Sequence, residues 1–315
     1  MGQAIKFQRF FSTDSAKAIK ANKYGYLNAI NYMAPHKSAG RGNLCANASP
    51  GCIALCLGWY SGQASMVADL ENDINNVRKS RIRKTQYFFA DTQGFMQEAV
   101  YHLNKLVRRA DKLGLKLCVR LNGASDIPFE RIKLVAYQNK TIFELFPHVQ
   151  FVDYTKHLDR ILSANKPGNL HLTLSRSEIN WQDCETALAN GHNVAVVFAE
   201  TLPEYGDATL YNMGYRQNYF LAAPYRGYEV IDGDKHDLRH LDPQGDVGYI
   251  VGLLPKGRKA KRDESGFVVR DHLEPPFAEI SQRQLDQAEY DSTYANEFRA
   301  KQLDALQALS AGLVA

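Results

Sequence analysis

The chain has 315 residues, of which 45% are apolar and 23% charged, ordinary proportions for a globular protein. This excludes a disordered chain, a collagen-like chain and a small disulfide knot, and a chain of this length buries enough surface to fold without a metal or disulfide. The net charge of +4, from 38 basic and 34 acidic residues, is too mild to mark a nucleic-acid binder by itself.

Residues 1–24 read as an N-terminal extension. They hold basic residues but no continuous apolar segment before a small-residue cleavage site, so no secretory signal is expected. Lys6 breaks the myristoylation pattern. No uncharged apolar stretch approaches the ~20 residues of a membrane helix. The expected compartment is the cytoplasm.

Residues 25–32 read as a first strand, ending at Pro35. A cysteine loop over 36–58 follows. A helix is expected from about Gln63, with Met66, Val67, Leu70, Ile74 and Val77 at helical spacing. Its end carries the basic cluster Arg78–Lys84, which suits a helix C-terminus. A second helix runs from Phe95 to Leu113, stopped by Gly114. Strand-like runs then fall at 115–121, 149–154, 169–174, 193–199, 228–232 and 247–253, with a helix at 181–190 closed by Gly191. Apolar strands alternating with helices indicate parallel βαβ units. The expected fold is α/β: a complete or partial (β/α) barrel of about six to seven mainly parallel strands. The core is read as 25–275, and 276–315 as a helical C-terminal extension.

Five cysteines are present: Cys45, Cys52, Cys56, Cys118 and Cys184. An odd count without a secretory signal argues against a disulfide framework. The first three form C-x6-C-x3-C in a loop rich in Gly, Asn, Ser and Pro. Thiolates this close are metal ligands, a redox set or an accident of spacing, and soft cations prefer several thiolates. Structural zinc needs a fourth ligand, for which His36 is the nearest candidate. Three cysteines also suit a [4Fe-4S] cluster with one iron left open. Cys118 and Cys184 read as packing residues.

Parallel sheets place their sites at the carboxyl ends of strands. The polar residues there are Asn122, Gly123, Ser125 and Asp126; Thr155 and Lys156; Ser175, Ser177 and Glu178; Glu200; and the run Asp232, Asp234, His236, Asp237. Singly, each has a plain alternative. Asn122-Gly123 suits a turn, Asp126 a cap, and 232–237 a hydrated loop. The basic clusters Arg78–Lys84 and Lys256–Arg262 are candidate phosphate contacts, or solvated surface.

A cysteine triad directly after the first strand of an α/β barrel resembles radical S-adenosylmethionine enzymes, although their usual spacing is C-x3-C-x2-C. The resemblance implies a [4Fe-4S] cluster on Cys45, Cys52 and Cys56, with S-adenosylmethionine held near Asn122, Gly123 and Ser125, near Ser175 and Ser177, and near Glu200. A closer resemblance, over about 25–270, is to phage and plasmid proteins of the gene-product-88 kind. It rests on Gly42-Asn43-Leu44-Cys45, the Cys52/Cys56 pair and Asp126-Ile127-Pro128. It implies a phage or mobile-element setting, hence host cytoplasm, and supplies no activity.

Three functional readings stand at this point. The first is an iron–sulfur enzyme acting on a nucleotide, nucleic acid or small metabolite. The second is a zinc-stabilised nucleic-acid-binding protein. The third is a hydrolase or nuclease holding Mg²⁺ or Mn²⁺ through Asp232, Asp234, His236 and Asp237, hard ligands that suit such ions. Asp126, Glu178, Glu200, Asp232, Asp234 and His236 are the candidate catalytic groups.

Overall fold

Short runs of branched and aliphatic residues, each closed by a polar turn, build a parallel sheet. The computed structural model describes residues 6–199 and 224–270. Its strands are β1 Tyr26–Ile30, β2 Lys116–Arg120, β3 Gln150–Thr155, β4 Leu170–Ser175, β5 Val194–Phe198, β6 Val230–Asp232, β7 Ile250–Leu253 and β8 Val268–Val269. Seven lie in the order β1-β2-β3-β4-β5-β7-β6, and β8 pairs with β5. Every ladder is parallel, and the sheet curls into a half-barrel. The partial-barrel expectation holds, with β8 an addition too short to show in the sequence.

The helices are α1 Ala16–Lys20, α2 Pro50–Ala54, α3 Leu57–Tyr60, α4 Asn76–Ala90, α5 Thr92–Lys112, α6 Ile142–Leu145, α7 Leu158–Leu162, α8 Trp181–Ala189 and α9 Arg258–Lys261. In α5 the Asp91 side chain caps the start by accepting from Gly94 N at 2.8 Å. Gly114 follows its end at φ +65°, a conformation that suits glycine. The buried face of α5 (Phe95, Met96, Ala99, Val100 and Leu103) joins Leu27, Leu117 and Val119 of the sheet in one core. Cys184, Ala187 and Leu188 of α8 enter the same core beside Leu172, Leu174 and Val196. The helices thus cover one sheet face. Phe7, Phe10 and Phe11 belong to this core too, and Ser12 pairs with Ile30 of β1, so the described part of the N-terminal extension is built into the fold.

The helix expected from Gln63 is absent. Residues 62–65 make one 3-10 turn, and helix resumes only at Asn76. Met66 and Ile74 are 74% and 48% exposed, so their helical spacing does not mark a buried face. Local side chains win the backbone instead. Asp69 accepts from Glu71 N and Asn72 N, and Asp73 from Asp69 N. Asn75 then caps α4 through Arg78 N at 3.0 Å.

The basic cluster Arg78–Lys84 therefore lies inside α4, not at a helix C-terminus. Nor is it simply solvated. Arg78 is fully buried. It donates to the carbonyls of Ala64 (2.8 Å), Asp73 (2.7 Å) and Trp59 (2.9 Å), with its guanidinium 4.4 Å from the Trp59 ring. Arg81 donates to Gly58 O, and buried Lys84 to Phe10 O and Asn31 Oδ1. Burial takes these groups away from a phosphate partner; Lys79 and Arg83 remain exposed. In the second cluster Lys256 pairs with Asp234 at 3.2 Å and Lys259 with Glu71, while Arg258 and Arg262 are exposed. Among the described residues no helix is long and apolar enough to cross a membrane. The expected helical segment 276–315 lies outside the described residues.

Arg78→Ala strands three carbonyls in a dry site. It is expected to cost about 3 kcal/mol in urea unfolding, against about 0.5 or less for Lys79→Ala; equal effects would refute the structural role of Arg78. Lys84 gives a pH test. Burial pushes its ammonium down to about 7, with Arg81 and Arg83 adding to the effect. Above that value the unfolded chain holds a proton that the folded chain has lost, so this group makes stability rise with pH up to about 10.4, the ordinary lysine value. Lys84→Met is expected to remove that rise in urea midpoints, and an unchanged slope overturns the assignment.

Candidate functional site

The cysteine segment leaves β1 and docks over the carboxyl ends of β2 and β4. It is not wholly a loop, since Cys52 sits in α2 and Cys56 is the N-cap of α3. Ser49 caps α2, its hydroxyl accepting from Cys52 N at 3.2 Å. The Glu178 carboxylate, just beyond β4, accepts from the Ser49 hydroxyl and from Gly51 N, both at 2.7 Å. Gly51 is needed there, because a Cβ would lie 2.9 Å from Glu178 Oε2 and 2.6 Å from Ser265 Oγ. The carboxylate also sits where a helix start favours negative charge. Glu178 thus holds the turn that carries Cys52.

Cys45 is placed from the other side. Its Sγ accepts from His36 N at 3.4 Å and lies 3.8 Å from Ala124 O, in the loop after β2. Asp126 N donates to Leu44 O at 2.8 Å. Gly58, just past Cys56, presses so closely on Ala124 that a Cβ there would lie 2.4 Å from the Ala124 Cβ. The three thiols are unbonded, and Cys56 feels the charge of both Cys52 and Cys45 while Cys45 feels that of Cys52. Burial pushes Cys45 up to about 11 and Cys56 up to about 12, with neighbouring thiols adding to the effect. Burial also raises Cys52, against the pull of Lys156. Among the described residues, no three His, Cys, Asp or Glu side chains stand close enough to hold a metal ion as placed.

Lys156 follows β3; the sequence places it among the strand-end polar residues but assigns it no role. Its ammonium donates to Ser175 O (3.1 Å), Ser175 Oγ (3.2 Å) and Arg176 O (3.3 Å), and stands 5.3 Å from the Phe267 ring. Burial lowers its pKa while Cys52, Asp126, Cys184 and Glu178 act to raise it. The available signal was its position one residue past a strand, beside the cysteine loop.

Most other candidates are occupied by the fold. Asn122 donates to Ile127 O and Asp153 Oδ2, and accepts from Ser125 Oγ and Ile127 N, so the 122–127 turn binds itself. Gly123 lies against the end of β1, where a Cβ would meet Asn31 O at 2.5 Å. Asp126 accepts from Lys156 N at 2.8 Å and from buried Arg160 at 2.7 Å, while Arg160 also grips Glu130. Ser177 is buried, its N–H donating to Asn180 Oδ1. Glu200 lies outside the described residues.

The acidic run after β6 points in several directions. Asp232 Oδ1 accepts from Asp234 N, and Asp234 accepts from Leu254 N and pairs with Lys256. His236 is buried with its ring edge-on to Tyr24 at 4.8 Å. Asp237 is buried near Cys118. They do not join the thiols.

Fold and site together define a parallel α/β half-barrel protein with a three-cysteine segment docked over its strand ends. Residues 8–271 match the family model of gene product 88, and the chain belongs to that family. No curated protein and no solved structure matches the chain, so the likeness to radical S-adenosylmethionine enzymes gains no support there.

Removing the Glu178 clamp is expected to loosen α2. Loss of two charge-assisted hydrogen bonds, roughly 1.5–3 kcal/mol each, predicts at least about tenfold faster alkylation of Cys52 in native Glu178→Ala, read by peptide mass mapping. Unchanged Cys52 labelling with a normal melting temperature would rule out the clamp.

Proposed function

We propose that the protein is an iron–sulfur protein whose Cys45, Cys52 and Cys56 hold a [4Fe-4S] cluster at the carboxyl ends of the strands, and that it is an enzyme. The observation that carries this reading is the convergence of three unbonded thiols from one short segment on the strand ends, positioned separately by Glu178, His36 N and the 122–126 loop; as placed they stand too far apart to hold a metal, so binding would draw them together. The donor set fits the group: thiolates are the ligands such clusters take, and cluster or metal binding would deprotonate thiols that burial otherwise keeps protonated. When bound, the cluster would supply one-electron chemistry, and its open iron is where S-adenosylmethionine could bind. Lys156 and Arg81 place positive charge beside Cys52 and Cys56 respectively, which suits a thiolate-rich centre. The substrate belongs at the strand ends; a nucleotide, a nucleic acid and a small metabolite all remain within this reading.

Structural zinc on the same thiols is the second reading, favoured by the same convergence. The fourth ligand expected from the sequence, His36, is seen to engage Cys45 through its backbone amide. Metal analysis separates the two. After anaerobic purification, about four irons and four sulfides per chain are expected, lost in the Cys45→Ala/Cys52→Ala/Cys56→Ala variant. About one zinc without sulfide would replace the cluster reading with the zinc one. Neither metal under anaerobic preparation would overturn both.

A further inference from the structure

The sheet face turned away from the helices is polar and is not closed by its own hydrogen bonds. On β4, Leu170, Leu172 and Leu174 enter the helix-side core, which leaves His171, Thr173 and Ser175 on the other face. Tyr154 is the register partner of Thr173, and the Arg120 guanidinium stacks 4.6 Å from the Tyr154 ring. Segment 233–242 lies across this face. Leu238 packs on Cys118 and Val152, and the 3-10 turn Arg239–Leu241 touches β3 and β4.

Several groups here are buried with nothing to bond. Thr173 Oγ1 and Arg239 Nη1, on wholly buried residues, have no hydrogen-bond partner. The same holds for His171 Nε2. Arg239 uses Nη2 on the carbonyls of Gly233 and His236, and Nε faces Asp242 at 3.2 Å. Arg120 donates only Nε, to Asn122 O at 3.1 Å, and its two Nη groups have no partner among the described residues. Unpaired buried donors are costly. Charge on this face is mixed: Asp242, Asp237 and Asp234 act on Arg239, and burial first, then Lys166, His240 and Arg239, push His171 down to about 4. Asp242 forms an ion pair with Arg239, its Oδ2 accepting no hydrogen bond, and Asp237 lies within electrostatic reach of Cys118, Arg239 and Asp242.

We propose that this face binds a small oxyanion group, a carboxylate or a phosphate, held by the open Arg120 fork with Arg239 Nη1 and Thr173 Oγ1 beneath it. Bidentate recognition of planar or tetrahedral oxyanions is what a free guanidinium edge does well. The site does not depend on whether the thiols hold a metal.

Titration calorimetry of the full chain with inorganic phosphate and with citrate tests it. Saturable binding of one probe is expected, and which one binds tells phosphate from carboxylate. Arg120→Lys keeps the charge, loses the fork and should weaken binding roughly tenfold. Thr173→Val should weaken binding while raising the melting temperature of the ligand-free protein, because it removes an unpaired buried hydroxyl. The Cys45→Ala/Cys52→Ala/Cys56→Ala variant should bind as the parent does. The proposal is overturned by binding of neither probe, by parental affinity in both Arg120→Lys and Thr173→Val, by a lowered melting temperature in ligand-free Thr173→Val, or by loss of binding in the cysteine variant, which would assign the anion to the thiols.

Discussion

Every strand in the sheet runs the same way, and the rest of the molecule follows from that constraint. Parallel strands cannot be joined by tight hairpins, so each connection must cross back over the sheet. All carboxyl ends then share one edge. The cysteine segment after β1, the Asn122–Asp126 turn after β2, Lys156 after β3 and Glu178 after β4 are neighbours for this reason alone, although more than a hundred residues separate Cys45 from Glu178.

Loops gathered this way still need fixing, and the fixing is ionic. Arg160, buried on α7, grips Asp126 and Glu130 through bonds of 2.7 Å each. Glu178 holds Ser49 and Gly51, and Lys156 holds the end of β4. Buried ion pairs add little net stability over an apolar replacement, because desolvation offsets attraction. They do make wrong loop positions expensive, since each would strand a charge. The ion pairs around Asp126 are thus better explained by placement of the cysteine segment than by stability, and this accounts for Asp126 being buried in partners rather than open to a substrate.

The strands were legible because each is a short apolar run with a polar stop, and Gly114 and Gly191 marked helix ends by their need for positive φ. The segment 63–77 misled because Met66, Val67, Leu70 and Ile74 mimic a helical stripe, while Asp69, Asp73 and Asn75 bond locally and break it. Charge was legible but burial was not. Arg78 and Lys84 look like surface in a basic run, and only the fold shows the carbonyls that receive them. The thiols were visible from spacing. Their clamp was not, since nothing in the chain pairs Glu178 with Ser49.

The two faces of the sheet carry a distinction that the pattern of β4 already contains. A parallel strand buried on both faces by ordinary packing reads as a continuous apolar run. The segment Leu170-His171-Leu172-Thr173-Leu174-Ser175 alternates instead, as a strand does when one face meets water. Yet Thr173 is fully buried, and segment 233–242 covers this side with Arg239, a charged residue, at its centre. A polar face kept from bulk water but unsatisfied by its own cover is a poor solution for stability alone, because aliphatic residues there would avoid the desolvation cost. It is a reasonable one for a surface that exchanges water for a ligand.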